Sequence, residues 1–319
     1  MPRQAHPVRG YFYIAAATFF WGIAATLGRA AFTGRLLAGR QALPAIDPLI
    51  LAQTRTGFSF LVFLPVLGLI RGWKRLRLPS KDSLRMLLVG IFGVAASNYF
   101  YYLAIQRTNV ATAIILQYTA PVWVLLYMVA RRMQKPTGQR IAAVVLALAG
   151  IVLVIGLFGT RGIRLDFMGV IAAMLAAFSF SFYNVGGHHI LARYDRWIVL
   201  LYTTASASLF WIIINSPWKI AAQHYSGAQW LFLFVFSLLS VLIPFSFYFA
   251  GLQHLEPTRA VIVSCLEPVF SILIADFALG EVLRLQQALG VVLVLAAILV
   301  VQLPDRDSAP AVSAIEPID

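Results

Sequence analysis

An acidic residue followed by a proline lies inside an apolar stretch of the second half, in the segment Leu266-Glu267-Pro268. Glu267 falls roughly 12 Å along a helix predicted over 259–279, at 1.5 Å per residue. A carboxylate at that depth is costly unless it is protonated or paired, so we hypothesise that it binds a substrate amine or takes up a coupling proton. The alternative is structural: Pro268 lacks an N–H, and a protonated Glu267 donates to the carbonyl that is thereby freed.

Polar and aromatic side chains recur on predicted helices that are otherwise apolar. A tyrosine ring offers a flat apolar surface with a hydroxyl at its edge, which suits an amphipathic solute. The alternative is hydrogen bonding between helices, worth about 0.6 kcal/mol per bond on average. As a group these residues favour a cavity that binds substrate: Asn98, Tyr99, Tyr101 and Tyr102 on the third helix, Gln117 and Tyr118 on the fourth, and Tyr183 and Asn184 on the sixth.

Two arginines, Arg29 and Arg55, lie near the ends of the first two predicted helices. Long basic side chains in such places commonly snorkel to the membrane interface, and we interpret both in that way. Binding of a substrate carboxylate by Arg29 stays open. No spacing typical of a metal site, a nucleotide loop or a nucleophile elbow occurs, so we expect no cofactor, no metal and no catalytic residue.

The composition is that of a membrane protein. Of the 319 residues, 61% are hydrophobic and 12% charged, with a mean hydropathy of +0.83, whereas a soluble domain is about a quarter charged. The net charge of +13 would suit a nucleic-acid ligand, but the basic residues lie between apolar segments and form no continuous face. We therefore predict a multi-pass protein of the inner membrane whose partners are the lipid bilayer and a small molecule, with no nucleic acid and no predicted oligomeric state.

A membrane-spanning helix needs about 20 apolar residues. Sixteen of the 25 lysines and arginines would face the cytoplasm if the N-terminus does, which predicts that both termini are cytoplasmic. The polar, proline-rich segment 304–319 is predicted to be a disordered tail. Ten segments qualify as spans: 11–31, 49–70, 84–106, 110–130, 140–158, 167–190, 197–215, 228–251, 259–279 and 285–303.

The second half of the chain repeats the first. At an offset of 147 residues, 101–123 lies over 248–270 without a gap, so that Tyr101 meets Tyr248 and Pro121 meets Pro268. The preceding helix also repeats a face of small and polar residues at steps of three or four: Gly90, Gly93, Ser97, Tyr101 and Ala104 correspond to Ser237, Ser240, Pro244, Tyr248 and Gly251. This correspondence adds Tyr248 to the candidate binding residues.

Five helices per half is an odd number, so the halves must have opposite orientations in the membrane. The predicted architecture is an all-α membrane protein of ten transmembrane helices in two inverted five-helix repeats, over 11–158 and 167–303. Inverted repeats are typical of transporters, because two similar halves can rock about a central site.

The chain resembles the ten-helix EamA type of the drug/metabolite transporter superfamily. The similarity lies in LEPVFSILIADFALGEVLRLQQALGVVLVLAAILV (266–300), in a weaker counterpart at 118–155, and in FFWG (19–22), which adds Trp21 as a candidate binding residue. The Gly-Glu pair of the family becomes Met133-Gln134 in the first half, which leaves the acidic contact of that loop unsupported.

The resemblance implies export of small metabolites through a central cavity lined by helices one, three, four, six, eight and nine, with five and ten peripheral. The aromatic-rich helices look most like exporters of aromatic and other neutral amino acids, and we predict alternating access rather than catalysis. The alternative is a membrane-embedded enzyme acting on lipid-like substrates, although such an enzyme needs carboxylates or histidines clustered near one interface and Glu267 has no partner in its own span. A channel is disfavoured by the lack of a filter-like segment.

Overall fold

Segments of 18 to 26 apolar residues fold as helices, because a helix satisfies its own backbone hydrogen bonds where lipid offers none. The computed structural model describes residues 6–32, 44–108, 110–155, 166–279 and 284–303, which contain ten such segments and no β-strand. The prediction of ten membrane helices is confirmed. The predicted tail over 304–319 lies outside the described residues, and the cytoplasmic placement of the termini stays a prediction.

We number the membrane spans 1 to 10 in chain order. A 3₁₀ turn, Trp73–Leu76, follows span 2, and the short helix α10 (Pro217–Ala221) follows span 7. The helices are α1 (Pro7–Phe32) for span 1; α2 (Pro48–Arg71) for span 2; α3 (Ser80–Leu88) and α4 (Ala96–Arg107) for span 3; α5 (Val110–Gln117) and α6 (Ala120–Ala130) for span 4; α7 (Gly138–Ile155) for span 5; α8 (Phe167–Leu191) for span 6; α9 (Arg196–Ile214) for span 7; α11 (Gly227–Ser237) and α12 (Ile243–Leu252) for span 8; α13 (Pro257–Val263) and α14 (Leu266–Leu279) for span 9; and α15 (Leu285–Gln302) for span 10.

Acidic and hydroxyl side chains mark the beginnings of several spans. Asp47 accepts hydrogen bonds from the first amides of α2, at 2.8 and 3.2 Å, and Asp166 and Asp195 do the same for α8 and α9. Ser226 and Gln229 form a reciprocal capping box on α11. These caps satisfy amides that have no partner within the helix, and they place charge at the ends of the spans rather than in the hydrocarbon.

Four spans are interrupted, at positions that match between the halves. Span 3 contains a π-helical segment, Val89–Ala95, and span 8 contains another, Leu238–Leu242. Span 4 breaks between α5 and α6 just before Pro121, and span 9 breaks between α13 and α14 just before Pro268. Prolines at matched positions account for the breaks in spans 4 and 9, because neither Pro121 nor Pro268 can donate the hydrogen bond that would bridge the break.

The matched small residues allow equivalent spans to approach closely. Gly90 lies against Thr203 and Ser206 of span 7, and its counterpart Ser237 accepts a hydrogen bond on its carbonyl from Ser59 of span 2. Spans 7 and 2 are themselves counterparts under the repeat. Ala104 and Gly251, at the other end of the matched face, are also counterparts. Gly251 packs on Ile14 of span 1. Ala104 packs with Ala172 and Ala173 of span 6, which is the counterpart of span 1.

Spans 5 and 10, which are counterparts, pack on each other in opposite directions. Gln139 near the beginning of span 5 donates to the carbonyls of Val300 and Leu303 at the end of span 10, whereas Gln287 at the beginning of span 10 donates to Val154 at the end of span 5. Because equivalent helices run antiparallel, the two five-helix repeats are inverted with respect to each other.

The crossing of spans 5 and 10 generates a test of this packing. A Cβ on Gly290 would lie 2.6 Å from the Val154 nitrogen and 2.7 Å from the Gly150 carbonyl oxygen, so Gly290→Ala must push the two backbones apart. We expect a loss of about 1–3 kcal/mol in the free energy of unfolding, measured as a lower melting temperature in detergent.

The matched control is Gly57→Ala on α2, where the added methyl would meet nothing within 4 Å. Alanine favours a helix over glycine by up to about 1 kcal/mol, so this variant should melt at or above the wild-type temperature. A Gly290→Ala protein as stable as the Gly57→Ala protein would contradict the close crossing.

Candidate substrate site

The breaks in spans 4 and 9 bring together two side chains from different repeats. Tyr118 lies at the break of span 4, Glu267 lies in the first turn of α14, and the tyrosine hydroxyl donates to Glu267 Oε2 at 2.8 Å. The partner of Glu267 in this structure is therefore a side chain of span 4. The structural alternative considered in the sequence analysis was a main-chain carbonyl freed by Pro268. Tyr118 is buried and Glu267 is half-buried, so the contact lies in the interior of the bundle.

A cation, Arg55, lies within electrostatic range of Glu267. Arg55 Nη1 donates to the Tyr102 hydroxyl at 3.3 Å, and its Nε is buried. The interpretation that Arg55 snorkels to the interface was wrong, because Tyr102 directs the guanidinium inward between spans 2 and 3. Tyr101 lies within electrostatic range of Arg55, Tyr102 and Glu267. We call Arg55, Tyr101, Tyr102, Tyr118 and Glu267 the charged cluster.

A group of aromatic rings lies beside the charged cluster. The Trp21 indole on span 1 contacts the Tyr248 ring at a centroid distance of 5.1 Å, and Tyr248 stacks on Tyr183 of span 6 at 5.8 Å. Phe245 closes the group against both Trp21 and Tyr183. Three spans thus contribute to one buried group of tilted, stacked and edge-on rings.

Tyr248 also organises a buried hydrogen-bond network. Its hydroxyl donates to Asn184 Oδ1 at 2.5 Å and lies 3.2 Å from Ser264 Oγ, at the break of span 9. Asn184 and Tyr248 are both 0% exposed, and Asn184 Nδ2 donates to the Phe180 carbonyl on its own helix. The network ties spans 6, 8 and 9 together next to Glu267.

Three of the predicted residues have other surroundings. Asn98 Nδ2 donates to the Val94 carbonyl on its own span, and Gln117 Nε2 lies 3.4 Å from Ser97 Oγ. Tyr99 packs edge-on against Phe210 and Trp211 of span 7. The side chain of Arg29 lies outside the described part of the chain.

The comparisons with known proteins agree with this architecture. A family model described as the EamA-like transporter family matches residues 8–156 and, again, 167–303. The chain belongs to the EamA-like transporter family. Its two matches correspond to two repeats, and the chain is a multi-pass inner-membrane transporter.

Curated relatives of the family align over most of the chain. An uncharacterized inner membrane transporter of Salmonella typhimurium, YicL, is 25% identical over 72% of this chain and 77% of its own. The threonine/homoserine exporter RhtA of Escherichia coli is 26% identical over 73% of this chain and 75% of its own. A crystal structure of a protein that is 21% identical shares the fold, with a TM-score of 0.75 over 93% of this chain and 97% of that chain.

The departure from the family motif at Met133-Gln134 has a structural counterpart. Gln134 Nε2 donates to Glu256 Oε2 at 2.8 Å, and Gln134 Oε1 accepts from Thr258 Oγ1 at 2.8 Å. Arg140 also lies 3.4 Å from Glu256. The acidic group of this contact therefore comes from the second repeat rather than from the loop of the first.

Sequence reasoning did not single out Phe245 and Ser264, and it misassigned Arg55. Ser264 lies four residues before Pro268, at the break that this proline introduces, so the motif held a signal for it. No comparable signal distinguishes Arg55 from an arginine at the interface, because its role depends on the Tyr102 hydroxyl of another span.

Loss of the central hydroxyl should be measurable. Tyr248→Phe leaves the buried Asn184 Oδ1 without its donor, and we expect a loss of about 1–3 kcal/mol in the free energy of unfolding, read as a lower melting temperature in detergent. Tyr127→Phe, at an exposed ring on α6, is the control and should melt like the wild type. Equal melting of the two variants would show that the Tyr248 bond contributes nothing to stability.

Proposed function

We propose that the protein is a secondary transporter that exports neutral amino acids, including aromatic ones, by alternating access at the charged cluster. The observation that supports this proposal best is the arrangement of Arg55 and Glu267, from different repeats, around the tyrosines where the two broken spans meet. Binding sites at interrupted helices between inverted repeats are typical of secondary transporters.

The chemistry of the cluster favours solutes with an apolar body and polar ends. The tyrosine rings present apolar surface, and the flanking guanidinium and carboxylate supply one charge of each sign. A sugar phosphate carries two negative charges against one arginine, and a polyamine leaves that arginine unmatched. The similarity to an exporter of threonine and homoserine supports the amino-acid class. The aromatic surface of Trp21, Tyr183 and Tyr248 supports the aromatic members of it.

Alternating access requires the repeats to separate at one end of the bundle. The loops 131–137 and 253–256 form an end that we call the basal end, predicted to be cytoplasmic. There the contacts of Gln134 with Glu256 and Thr258, and of Arg140 with Glu256, all join one repeat to the other. We propose that these contacts close the basal end in one state of the transport cycle and break in the next.

Transport by the purified protein in proteoliposomes tests the substrate class. We expect exchange of labelled L-phenylalanine, L-leucine and L-threonine to exceed that of putrescine and glucose 6-phosphate by about tenfold or more, since one unmatched charge costs at least 1.4 kcal/mol. Glu267→Gln, which keeps the shape but not the charge, should lose this exchange while its melting temperature stays unchanged. Movement of sugar phosphate without any amino acid would contradict the proposal.

Cross-linking tests the basal closure. With Gln134→Cys and Thr258→Cys combined, a short bifunctional thiol reagent should stop transport, because it holds the repeats together where they must part. A reducing agent that cleaves the reagent should restore the rate. Each single variant treated in the same way is the control, and it also reports any reaction of the native Cys265. Full transport by the cross-linked protein would rule out opening at this end.

A further inference from the structure

Arg55 is a half-buried cation that forms no ion pair with a carboxylate of the described residues, and its Nε is fully buried. It lies about 10 Å along α2 from Pro48, at 1.5 Å per residue. Its hydrogen bond is to the neutral Tyr102 hydroxyl, and among the described residues no carboxylate lies within 4 Å of the guanidinium and none of the polar atoms accepts from its Nε. A guanidinium has five N–H donors in a planar fork that matches a carboxylate, and here the buried Nε–H has no acceptor.

Such an arrangement is costly for the protein alone. A charge inside a membrane protein is stable when it is paired, and leaving it with one neutral acceptor forfeits most of the compensation that burial requires. Glu267 is the obvious counter-ion, because it lies within electrostatic range. The two charges are nonetheless more than 4 Å apart, and Glu267 is bound to Tyr118 instead. The cation and the anion therefore interact electrostatically, but each is hydrogen-bonded to a different tyrosine rather than to the other.

We propose that Arg55 binds the carboxylate of the transported amino acid and that Glu267 binds its ammonium group, so that the bound zwitterion pairs both charges. Arg55 is then a specificity-determining residue contributed by the first repeat, and Glu267 is its complement in the second. This assignment rests on the proposed function and adds to it the residue that recognises each end of the substrate.

The arrangement accounts for selection against solutes that have only one of the two groups. An amine leaves Arg55 unpaired, and a carboxylic acid leaves Glu267 unpaired, whereas a zwitterion pairs both without changing the net charge of the site. Because Arg55 and Glu267 belong to different repeats, a bound amino acid also connects the halves that move in the transport cycle.

Calorimetric titration of the full-length protein in detergent with three ligands tests the assignment. The ligands are L-phenylalanine, 2-phenylethylamine, which lacks the carboxylate, and 3-phenylpropionate, which lacks the amine. We expect the wild type to bind L-phenylalanine most tightly. Arg55→Met should lose about tenfold or more in affinity for L-phenylalanine and for 3-phenylpropionate but keep its affinity for the amine. Glu267→Gln should show the converse, losing L-phenylalanine and the amine but keeping the acid.

Arg107→Met is the matched control, since it makes the same exchange at an exposed arginine on α4 and should bind all three ligands like the wild type. If Arg55→Met does not fold, Arg55→Lys keeps the charge but not the fork and should weaken the two carboxylate ligands selectively. An equal loss of all three ligands would overturn the assignment and make Arg55 structural. Unchanged L-phenylalanine binding would overturn the assignment alone, whereas a wild type that binds no amino acid would overturn the proposed function as well.

Discussion

A charged or polar group inside a membrane protein must find its partner within the protein, because the hydrocarbon offers none. The hydrogen bond from Tyr118 to Glu267 is the clearest instance here, since it joins the two places where the main chain itself is interrupted. Spans 4 and 9 break just before Pro121 and Pro268, and each break exposes polar atoms in the middle of the bundle. These two spans must therefore pack against each other, and the remaining spans surround them.

Because the chain is an inverted repeat, the same packing between helices occurs once in each half. The packing of spans near the centre recurs in both halves, since span 1 packs on span 8 and span 3 packs on span 6. Matched small residues allow the close approach in each case. The antiparallel pair of spans 5 and 10 lies apart from the charged cluster, with Gly150 and Gly290 in backbone contact. This pair stabilises the bundle without contributing a side chain to the site.

The sequence predicted the spans well because their signal is local: 20 apolar residues and a loop are visible without any tertiary information. It also predicted the pairing of the halves, through the match of Tyr101 with Tyr248 and of Pro121 with Pro268. The inward direction of Arg55 was missed, since it depends on the Tyr102 hydroxyl of another span. Tyr99 shows the converse difficulty, because a tyrosine that packs on Phe210 has the same sequence signature as one that binds a solute.

The π-helical segments of spans 3 and 8 have a consequence for how the side chains of these spans are arranged around the helix axis. One additional residue in a turn rotates everything beyond it by about 100°, since an α-helix has 3.6 residues per turn. Gly90 accordingly meets span 7, whereas Gly93 and Ser97 meet span 6, although a helical wheel would draw all three on one stripe. Each of these spans thus packs against two neighbouring spans through one run of small residues. When scanning mutagenesis of span 3 or span 8 is interpreted, the residues before and after the π-helical segment should therefore be assigned to faces on two separate helical wheels.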